Sequence, residues 1–534
     1  MFGVYIHIPF CVKKCKYCDF NSFKMNLCDK KRYLDDLKRE IEMYSEECSD
    51  RKVDTVFFGG GTPSILSSEE IQDLMKSVKS NFNISEDAEI TMECNPGTID
   101  REKLEAIKSS GINRLSIGLQ AVQNHHLNYI GRIHTYEEFE KNFREARDVG
   151  FDNINIDLMF GVYIHIPFCV KKCKYCDFNS FKMNLCDKKR YLDDLKKEIK
   201  MYSSECADRI VDTIFFGGGT PSILSCDEIE SLMNCVKDSF NISDDAEITM
   251  ECNPGTIDRE KLEAIKRSGI NRLSIGLQAV QNHHLSYIGR IHTYEEFEKN
   301  FKEARSVGFD NINIDLMFAL PNQTEEDWKE SLEKVVGLNP EHISAYSLIL
   351  EEGTELFDMY EREEFELMDE NRDIEMYEYT INYLKENGYN QYEISNYSKK
   401  GKECRHNIIY WQCENYLGLG AGAAGYLGRD RYTNEANLNS YHKKIENNEK
   451  PIINVENLSD EEMMEEMVFM CLRMNDGINR IDFKNRFKIE FCDKYQKQVD
   501  DLVDRGLLLV DEKSVRLTQK GREISNSVFL EILS

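Results

Sequence analysis

The feature that rules out most folds is a repeat. Residues 1–158 return almost verbatim from Met159 onward: Phe151-Asp-Asn-Ile-Asn-Ile-Asp-Leu-Met159 matches Phe309-Asp-Asn-Ile-Asn-Ile-Asp-Leu-Met317, and about nineteen positions differ in all, among them Arg39 against Lys197 and Ser109 against Arg267. A solenoid unit has a period of roughly 20–50 residues, so a repeat this long is a partial tandem duplication of one domain. At the join, the strand-like Asn153–Leu158 runs into the strand-like Gly161–Ile166 with no turn and no helix between them. Parallel neighbours need a crossover of about a dozen residues or more, so these two strands are not adjacent parallel members of one sheet. Copy one also stops before the sixth strand that follows copy two, and is expected to expose an unpaired edge. The chain is therefore expected to divide into an incomplete duplicate (1–158), a complete α/β core (159–395), a connecting region (396–456) and a C-terminal α+β module (457–534).

Within each copy, strand and helix patterns alternate. In copy two the strands read Gly161–Ile166, Thr213–Gly217, Glu247–Glu251, Arg272–Leu277, Asn311–Leu316 and His342–Leu350, with charged periodic segments such as Lys188–Met201 and Asp258–Arg267 between them. That alternation predicts a parallel sheet covered by helices. Further on, Gln323–Val336 and Asn371–Asn387 read as helices, Tyr392–Asn396 and Cys404–Trp411 as short strands or loops, and Tyr416–Tyr426 as a glycine-rich run. From Asn457 the pattern of helices Glu461–Arg473, Arg480–Phe487 and Cys492–Arg505, a hairpin, and a last helix looks like a winged-helix module.

Chemistry concentrates in Gly161-Val-Tyr-Ile-His-Ile-Pro-Phe-Cys169-Val-Lys-Lys-Cys173-Lys-Tyr-Cys176-Asp-Phe178 and in its duplicate with Cys11, Cys15 and Cys18. A loop this tight can set three thiolates around one inorganic group. A four-iron cluster with three cysteine ligands keeps one iron open to a non-protein ligand. The bland alternative is half of a structural zinc site or three buried thiols. The net charge of −28 argues against nucleic-acid or anionic-membrane surfaces. No run is apolar enough to cross a bilayer and no signal peptide opens the chain, so a reducing cytoplasmic setting is expected and the 18 cysteines point to metal and redox chemistry rather than disulfides.

Phe216-Gly217-Gly218-Gly219-Thr220-Pro221 follows the second strand, where glycines admit a ligand close to the backbone and free N–H groups can bind it. Polar residues stand at or near the ends of the later strands: Glu251, Gln278, Arg290 and Asp315. The C-terminal ends of parallel strands converge on one mouth, where such folds bind ligands. Singly, each is as well explained by a solvated strand end or a helix cap.

Together, the cysteine spacing after a first strand and the glycine motif after a second resemble the radical S-adenosylmethionine (SAM) enzymes. That resemblance implies a partial (β/α)6 TIM-like barrel, a [4Fe-4S] cluster on Cys169, Cys173 and Cys176, and SAM on the open iron. Tyr163, Tyr175, Gly218, Gly219, Thr220, Glu251, Gln278, Arg290 and Asp315 match the SAM-contacting positions of coproporphyrinogen oxidase-like members. Copy one repeats them as Tyr5, Tyr17, Gly60, Gly61, Thr62, Glu93, Gln120, Arg132 and Asp157, with Cys11, Cys15 and Cys18 as the metal set. More narrowly, Phe178 stands where the oxidase branch has a further cysteine, Met159 lies too close to Cys169 for that branch's N-terminal arm, and His406-Asn407-Ile-Ile-Tyr410-Trp411 resembles the heme-chaperone (HemW) branch. This implies heme as cargo, a reductant for the cluster, and a recipient apo-hemoprotein of a respiratory chain, membrane-associated ones included, with no nucleic-acid partner. His406 is then a candidate heme contact, against a packed histidine bonded to its surroundings, with Cys404 a rival ligand. The competing readings are a coproporphyrinogen III oxidase acting through a 5′-deoxyadenosyl radical and an iron–sulfur regulator with a DNA-binding winged helix. His283 and His284 read as a helix surface, and one working cluster, in copy two, is expected.

Overall fold

The computed structural model describes residues 2–14, 22–45, 48, 51–120, 127, 132–158, 160–207 and 209–533. The chain divides into two compact units: Met1–Met159 with the short pieces Asp208–Ile210 and Ser243–Asp245, and the remainder from Phe160 to Ser534.

In the larger unit, six strands form one sheet in sequence order: β1 (Gly161–Ile166), β2 (Ile210–Gly218), β3 (Asn241–Cys252), β4 (Arg272–Gln278), β5 (Ile312–Phe318) and β6 (His342–Ser347). The registers run parallel from Gly161↔Thr213 on β1 and β2, Thr249↔Arg272 on β3 and β4, Leu273↔Ile312 on β4 and β5, and Asn313↔His342 on β5 and β6. This is the α/β class with a parallel sheet that the alternating pattern predicts. Strands covered on both faces read as apolar runs, and β1, β4 and β5 are buried along nearly their whole length. Val162, Ile164, Ile166, Ile214, Phe216, Leu273, Ile275 and Ile314 form the core with inward residues of the flanking helices, such as Leu195, Leu232, Leu262 and Trp328. Those helices start where local chemistry starts them. Ser225 with Glu228, Thr293 with Glu296 and Thr324 with Asp327 form reciprocal capping boxes, and Asp258 caps Arg259–Arg267.

The sheet continues past both ends of the parallel set. Antiparallel β7 (Asn390–Glu393) and β8 (Asn396–Ser398) extend it beyond β6. On the other side β9 (Tyr416–Leu419) pairs parallel with β1, and β10 (Ala424–Leu427), β11 (Asp430–Asn434) and β12 (Ile452–Asn457) follow antiparallel. The glycine-rich run is thus strand-forming, and its glycines admit close neighbours: a Cβ on Gly418 would lie 1.8 Å from the Ala424 carbonyl oxygen. The connecting region also holds the helix Leu438–Glu446. One expectation is corrected: Arg405–Trp411 is a helix, not a strand or loop. Seven residues are too few to show helical periodicity, and the Ile408-Ile409 pair biases the local reading toward strand.

The C-terminal module has helices Asp460–Cys471, Arg480–Phe487, Phe491–Lys494, Gln496–Asp504 and Ser525–Ile532 around a small antiparallel sheet of Ile478–Asn479, Leu508–Val510 and Ser514–Leu517. Cys492–Arg505, expected as one helix, breaks at Tyr495 (φ −117°, ψ 28°).

In the smaller unit, Gly3–Ile8, Lys52–Gly60, Asn83–Cys94, Arg114–Gln120 and Asn153–Leu158 form a five-stranded parallel sheet in that order, over a core of its own that includes Ile6, Val56, Met92, Leu115 and Phe139. Asn153–Leu158 and β1 lie in separate sheets.

Candidate functional site

The β1 strand delivers the cysteine loop. Past Ile166 the chain makes a two-residue parallel ladder, Phe168–Cys169 with Phe181–Lys182, closed by Phe181 N–H to the Pro167 carbonyl (2.8 Å) and Met183 N–H to the Cys169 carbonyl (2.9 Å). The loop is therefore pinned at both ends. It is also held in the middle, where Lys174 N–H donates to the Ile288 carbonyl at 3.0 Å. Cys169 is buried, Cys173 and Cys176 are half-buried, and none is in a disulfide. Burial pushes the Cys169 and Cys176 thiols up; Thr220, donating to Cys169 Sγ at 3.4 Å, works the other way.

Behind the loop lies the turn after β2. Gly218 sits at φ +107°, and a Cβ there would strike the His165 ring. A Cβ on Gly219 would lie 2.8–2.9 Å from the backbone of Phe168 and Ile166. The glycines thus let the turn pack directly against the cysteine strand. The expectation of free N–H groups is corrected: Gly219 N–H bonds the Ile166 carbonyl (2.9 Å), Thr220 N–H the Phe168 carbonyl (2.8 Å), and Gly218 N–H Glu251 Oε2 (3.2 Å). Their work is to lock the cysteine strand and to aim Glu251.

Asn253, which the sequence reading missed, joins two of the expected residues. Its Nδ2 donates to Thr220 Oγ1 (2.9 Å) and its Oδ1 accepts from Arg290 Nη2 (2.6 Å). Arg290 also donates to the Gly276 carbonyl and, through Nη1, to Cys173 Sγ at 3.5 Å. The only hint was its place one residue after β3, in Cys252-Asn253-Pro254-Gly255.

Three observations suit these strand ends to a cationic polar ligand. Gln278 holds a left-handed backbone (φ +73°), and its buried Oε1 has no hydrogen-bond partner. Glu251 is pushed up to about 8, by burial first and then by the negative charge of Asp315. Asp315 is itself raised by burial, against hydrogen bonds from Asn313 (2.7 Å) and Ser274 (3.1 Å). Two half-buried acids and an orphaned carbonyl are costly out of water and are relieved by a positively charged group with donors. SAM carries a sulfonium and an ammonium; three thiols on a pinned loop with one arginine on a sulfur suit a cluster. The residues present fit both groups. Tyr175 is half-buried beside Arg290 and Cys173, and its hydroxyl is raised by desolvation. Tyr163 is half-buried, bonded to His165 Nδ1 at 3.1 Å.

His406 is not with them. It is fully buried, its Nδ1 bonds Thr213 Oγ1 (2.7 Å), its Nε2 bonds the Tyr410 hydroxyl (2.8 Å), and its ring stacks on Phe215 at 5.3 Å. Thr213 pairs with Gly161 at the start of β1, whereas the cysteines follow its end, about 17 Å away at 3.3 Å per residue. Burial and Arg272 push this imidazole down to about 3. Both ring nitrogens are engaged inside the protein, the arrangement expected of the packed-histidine alternative. Cys404 is equally buried, against Glu247.

Copy one rebuilds part of the constellation. Gly60 N–H bonds Glu93 Oε2 (3.1 Å), Thr62 Oγ1 meets Cys11 Sγ (3.5 Å), Asn95 joins Thr62 to Arg132, and Gln120 repeats the left-handed backbone (φ +63°) and the unpartnered Oε1. Gly61 packs on Phe10 and Ile8 as Gly219 does on their equivalents. Asp157 lies opposite Gly118 in the register. Tyr5 is 58% exposed. Cys15, Tyr17 and Cys18 lie outside the described residues.

The Radical SAM superfamily profile matches residues 5–165 and again 163–335, following the duplication, and the HemN C-terminal domain profile matches residues 458–524. The chain is similar to the Heme chaperone HemW of Lactococcus lactis subsp. lactis, 38% identical over 371 residues that make up 70% of this chain and 96% of that protein. It is similar to the protein of the same name from Bacillus subtilis, 36% identical over 372 residues, 70% of this chain and 98% of that one. Among solved structures it resembles the coproporphyrinogen III oxidase HemN from Escherichia coli, a radical SAM enzyme, with a TM-score of 0.62 and 25% identity over 70% of this chain and 90% of that one.

Proposed function

The chain belongs to the Radical SAM superfamily and, within it, to the family of the heme chaperone HemW, and from that membership we propose that residues 159–534 hold a [4Fe-4S] cluster and SAM, bind heme as cargo and pass it to an apoprotein. The superfamily implies the cluster and SAM. The chaperone reading is preferred to the oxidase on a single observation, the near full-length identity to two proteins of that name. No helix among the described residues is long and apolar enough to cross a membrane, in keeping with the proposed cytoplasmic setting.

In this reading Cys169, Cys173 and Cys176 supply the thiolates. When bound, the cluster supplies an open iron for SAM and a site for one-electron reduction by a partner. The chain's own residues do the rest. Thr220 and Arg290 donate to two of the sulfurs, Cys169 Sγ and Cys173 Sγ, and so hold them in place. Gly218 N–H orients Glu251, which with Asp315 offers negative charge to the cationic ligand, and Gln278 Oε1 accepts from its donors. Residues 1–158 are proposed as an incomplete duplicate that carries part of the SAM constellation.

The test is hemin titration of the anaerobically reconstituted protein, followed by incubation with an apo-hemoprotein. A Soret shift on binding and its loss on transfer are expected; an unchanged spectrum overturns the reading. Formation of protoporphyrinogen from coproporphyrinogen III in the presence of SAM and reductant would restore the oxidase.

A further inference from the structure

A second group of metal-ligating side chains stands apart from the cysteine loop. His283 and His284 lie on the short helix Asn282–Tyr287, and Asp327 lies in the first turn of the helix Glu325–Gly337. The sequence reading put both histidines on a surface. The structure leaves His283 exposed but buries His284, with 2% of its surface accessible, and brings the two rings to 4.1 Å between centroids. One ligand atom from each of His283, His284 and Asp327 lies within 4.8 Å of the other two, the only such group of three among the described residues.

The surroundings fix two of the three ligands and leave the third adjustable. Asp327 is held as the acceptor of a capping box, its Oδ2 receiving Thr324 N–H (2.9 Å), Thr324 Oγ1 (2.7 Å) and His284 Nε2 (3.4 Å). Gln281 ties the two helices by donating from Nε2 to the Asp327 carbonyl (2.8 Å) and to Glu330 Oε2 (2.9 Å). His283 is free to rotate, being exposed.

We propose that His283, His284 and Asp327 form a binding site for one divalent cation of the Zn2+ class, with solvent completing its coordination. Two imidazoles and a carboxylate around an open position are a zinc-type donor set, and the same set suits Ni2+ or Co2+. Tetrahedral ligands at 2.0–2.2 Å stand about 3.4 Å apart, so the 4.8 Å limit leaves up to about 1.4 Å to close, within reach of His283 rotation. Copy one repeats the histidines as His125 and His126, outside the described residues, but the chain returns to the start of the repeat at Met159 before any counterpart of Asp327 appears. The stoichiometry is therefore one ion per chain. The helix that carries the histidines is capped at its C-terminus by Ile288, whose carbonyl receives Lys174 N–H of the cysteine loop. An ion bridging the two helices stiffens the support under that loop.

The experiment uses the full chain with its cluster reconstituted, equilibrated against buffered free Zn2+, with zinc and iron counted per chain by mass spectrometry. Asp327→Asn keeps the cap acceptor while removing the charge, and His283→Ala alters only an exposed side chain, so iron content serves as the folding control. With iron unchanged, each variant is expected to bind one zinc fewer at the concentration that saturates the wild type, and to need at least about tenfold more free Zn2+ for that site, since loss of even an outer-shell partner costs 10–100-fold. A wild type without this zinc, or variants that hold zinc as the wild type does, overturns the proposal.

Discussion

Glu198 and Glu40 occupy the same place in the two copies and sit in opposite environments, which makes them a controlled pair. On the helix Leu185–Tyr202, Glu198 is fully buried: its Oε2 accepts from Gly420 N–H (2.8 Å) and the Tyr441 hydroxyl (2.6 Å), and its Oε1 from Asn434 Nδ2 (2.7 Å). Glu40 on Leu27–Ser45 is exposed. Glu198→Ala leaves three buried donors without an acceptor. At about 1–3 kcal/mol each, with partial relaxation, the expected loss is about 3–6 kcal/mol. Glu40→Ala should cost no more than about 0.5 kcal/mol. Both tryptophans, Trp328 and Trp411, belong to the unit that contains Glu198, so tryptophan fluorescence in urea reports that unit alone. With a slope of about 1–3 kcal/mol/M, a 3 kcal/mol loss lowers the midpoint by about 1–3 M. Burial pushes Glu198 up to about 7 from an ordinary 4.5, so its stabilising share is complete below about pH 4.5 and is lost as pH rises through 7. The gap between the variants should therefore be wider at pH 6 than at pH 8. Equal midpoints for the two variants at pH 6 would refute the assignment of Glu198 as the tie between this helix and β9–β11.

Gly219→Ala drives a methyl into the backbone of Phe168 and Ile166, so SAM binding measured by equilibrium dialysis should be abolished while Gly337→Ala, which meets nothing within 4 Å and needs no left-handed backbone, retains it. His406→Ala removes the partner of Thr213 and Tyr410 and a buried ring, and should cost about 3–5 kcal/mol by urea unfolding while leaving the heme spectrum unchanged. Glu251 is raised to about 8, so what it contributes to the ligand-free fold is full below about pH 4.5 and is lost as pH rises through 8; Glu251→Gln should flatten the fall in melting temperature between pH 5 and pH 9, and weaken SAM binding. Iron counting should show loss of the cluster in Cys169→Ala and little change in Cys11→Ala; equal losses would assign a cluster to each copy.

Much of this arrangement is legible in the residues. The apolar runs of β1, β4 and β5 and charged periodic segments such as Asp258–Arg267 between the strands are local signals, and local physics reads them correctly. The failures share a cause. Arg405–Trp411 is helical in a setting where His406 N–H bonds Glu247 and its ring fills a pocket made by β1 and β2, partners about 160–240 residues away in the chain. The glycine motif's N–H groups are consumed by the cysteine strand, and Asn253 gains its role only when Thr220 and Arg290 arrive from either side.

The duplication makes that division visible within one molecule. The order of residues alone determined the alternating strands and helices, the three-cysteine loop and the identity of the polar groups at the strand ends, because these follow from spacing and from short-range chemistry. It could not determine environment. Tyr5 and Tyr163 have the same near neighbours in sequence, and Glu40 and Glu198 nearly the same, Arg39 against Lys197 and Glu42 against Lys200 apart, yet the first of each pair is exposed and the second is half or wholly buried. What separates them is the segment from Arg405 to Asn457, which lays β9 along β1 and closes over the helix Leu185–Tyr202. Burial depends on what the distant chain brings to a surface, and so two copies of one sequence acquired two different electrostatic lives.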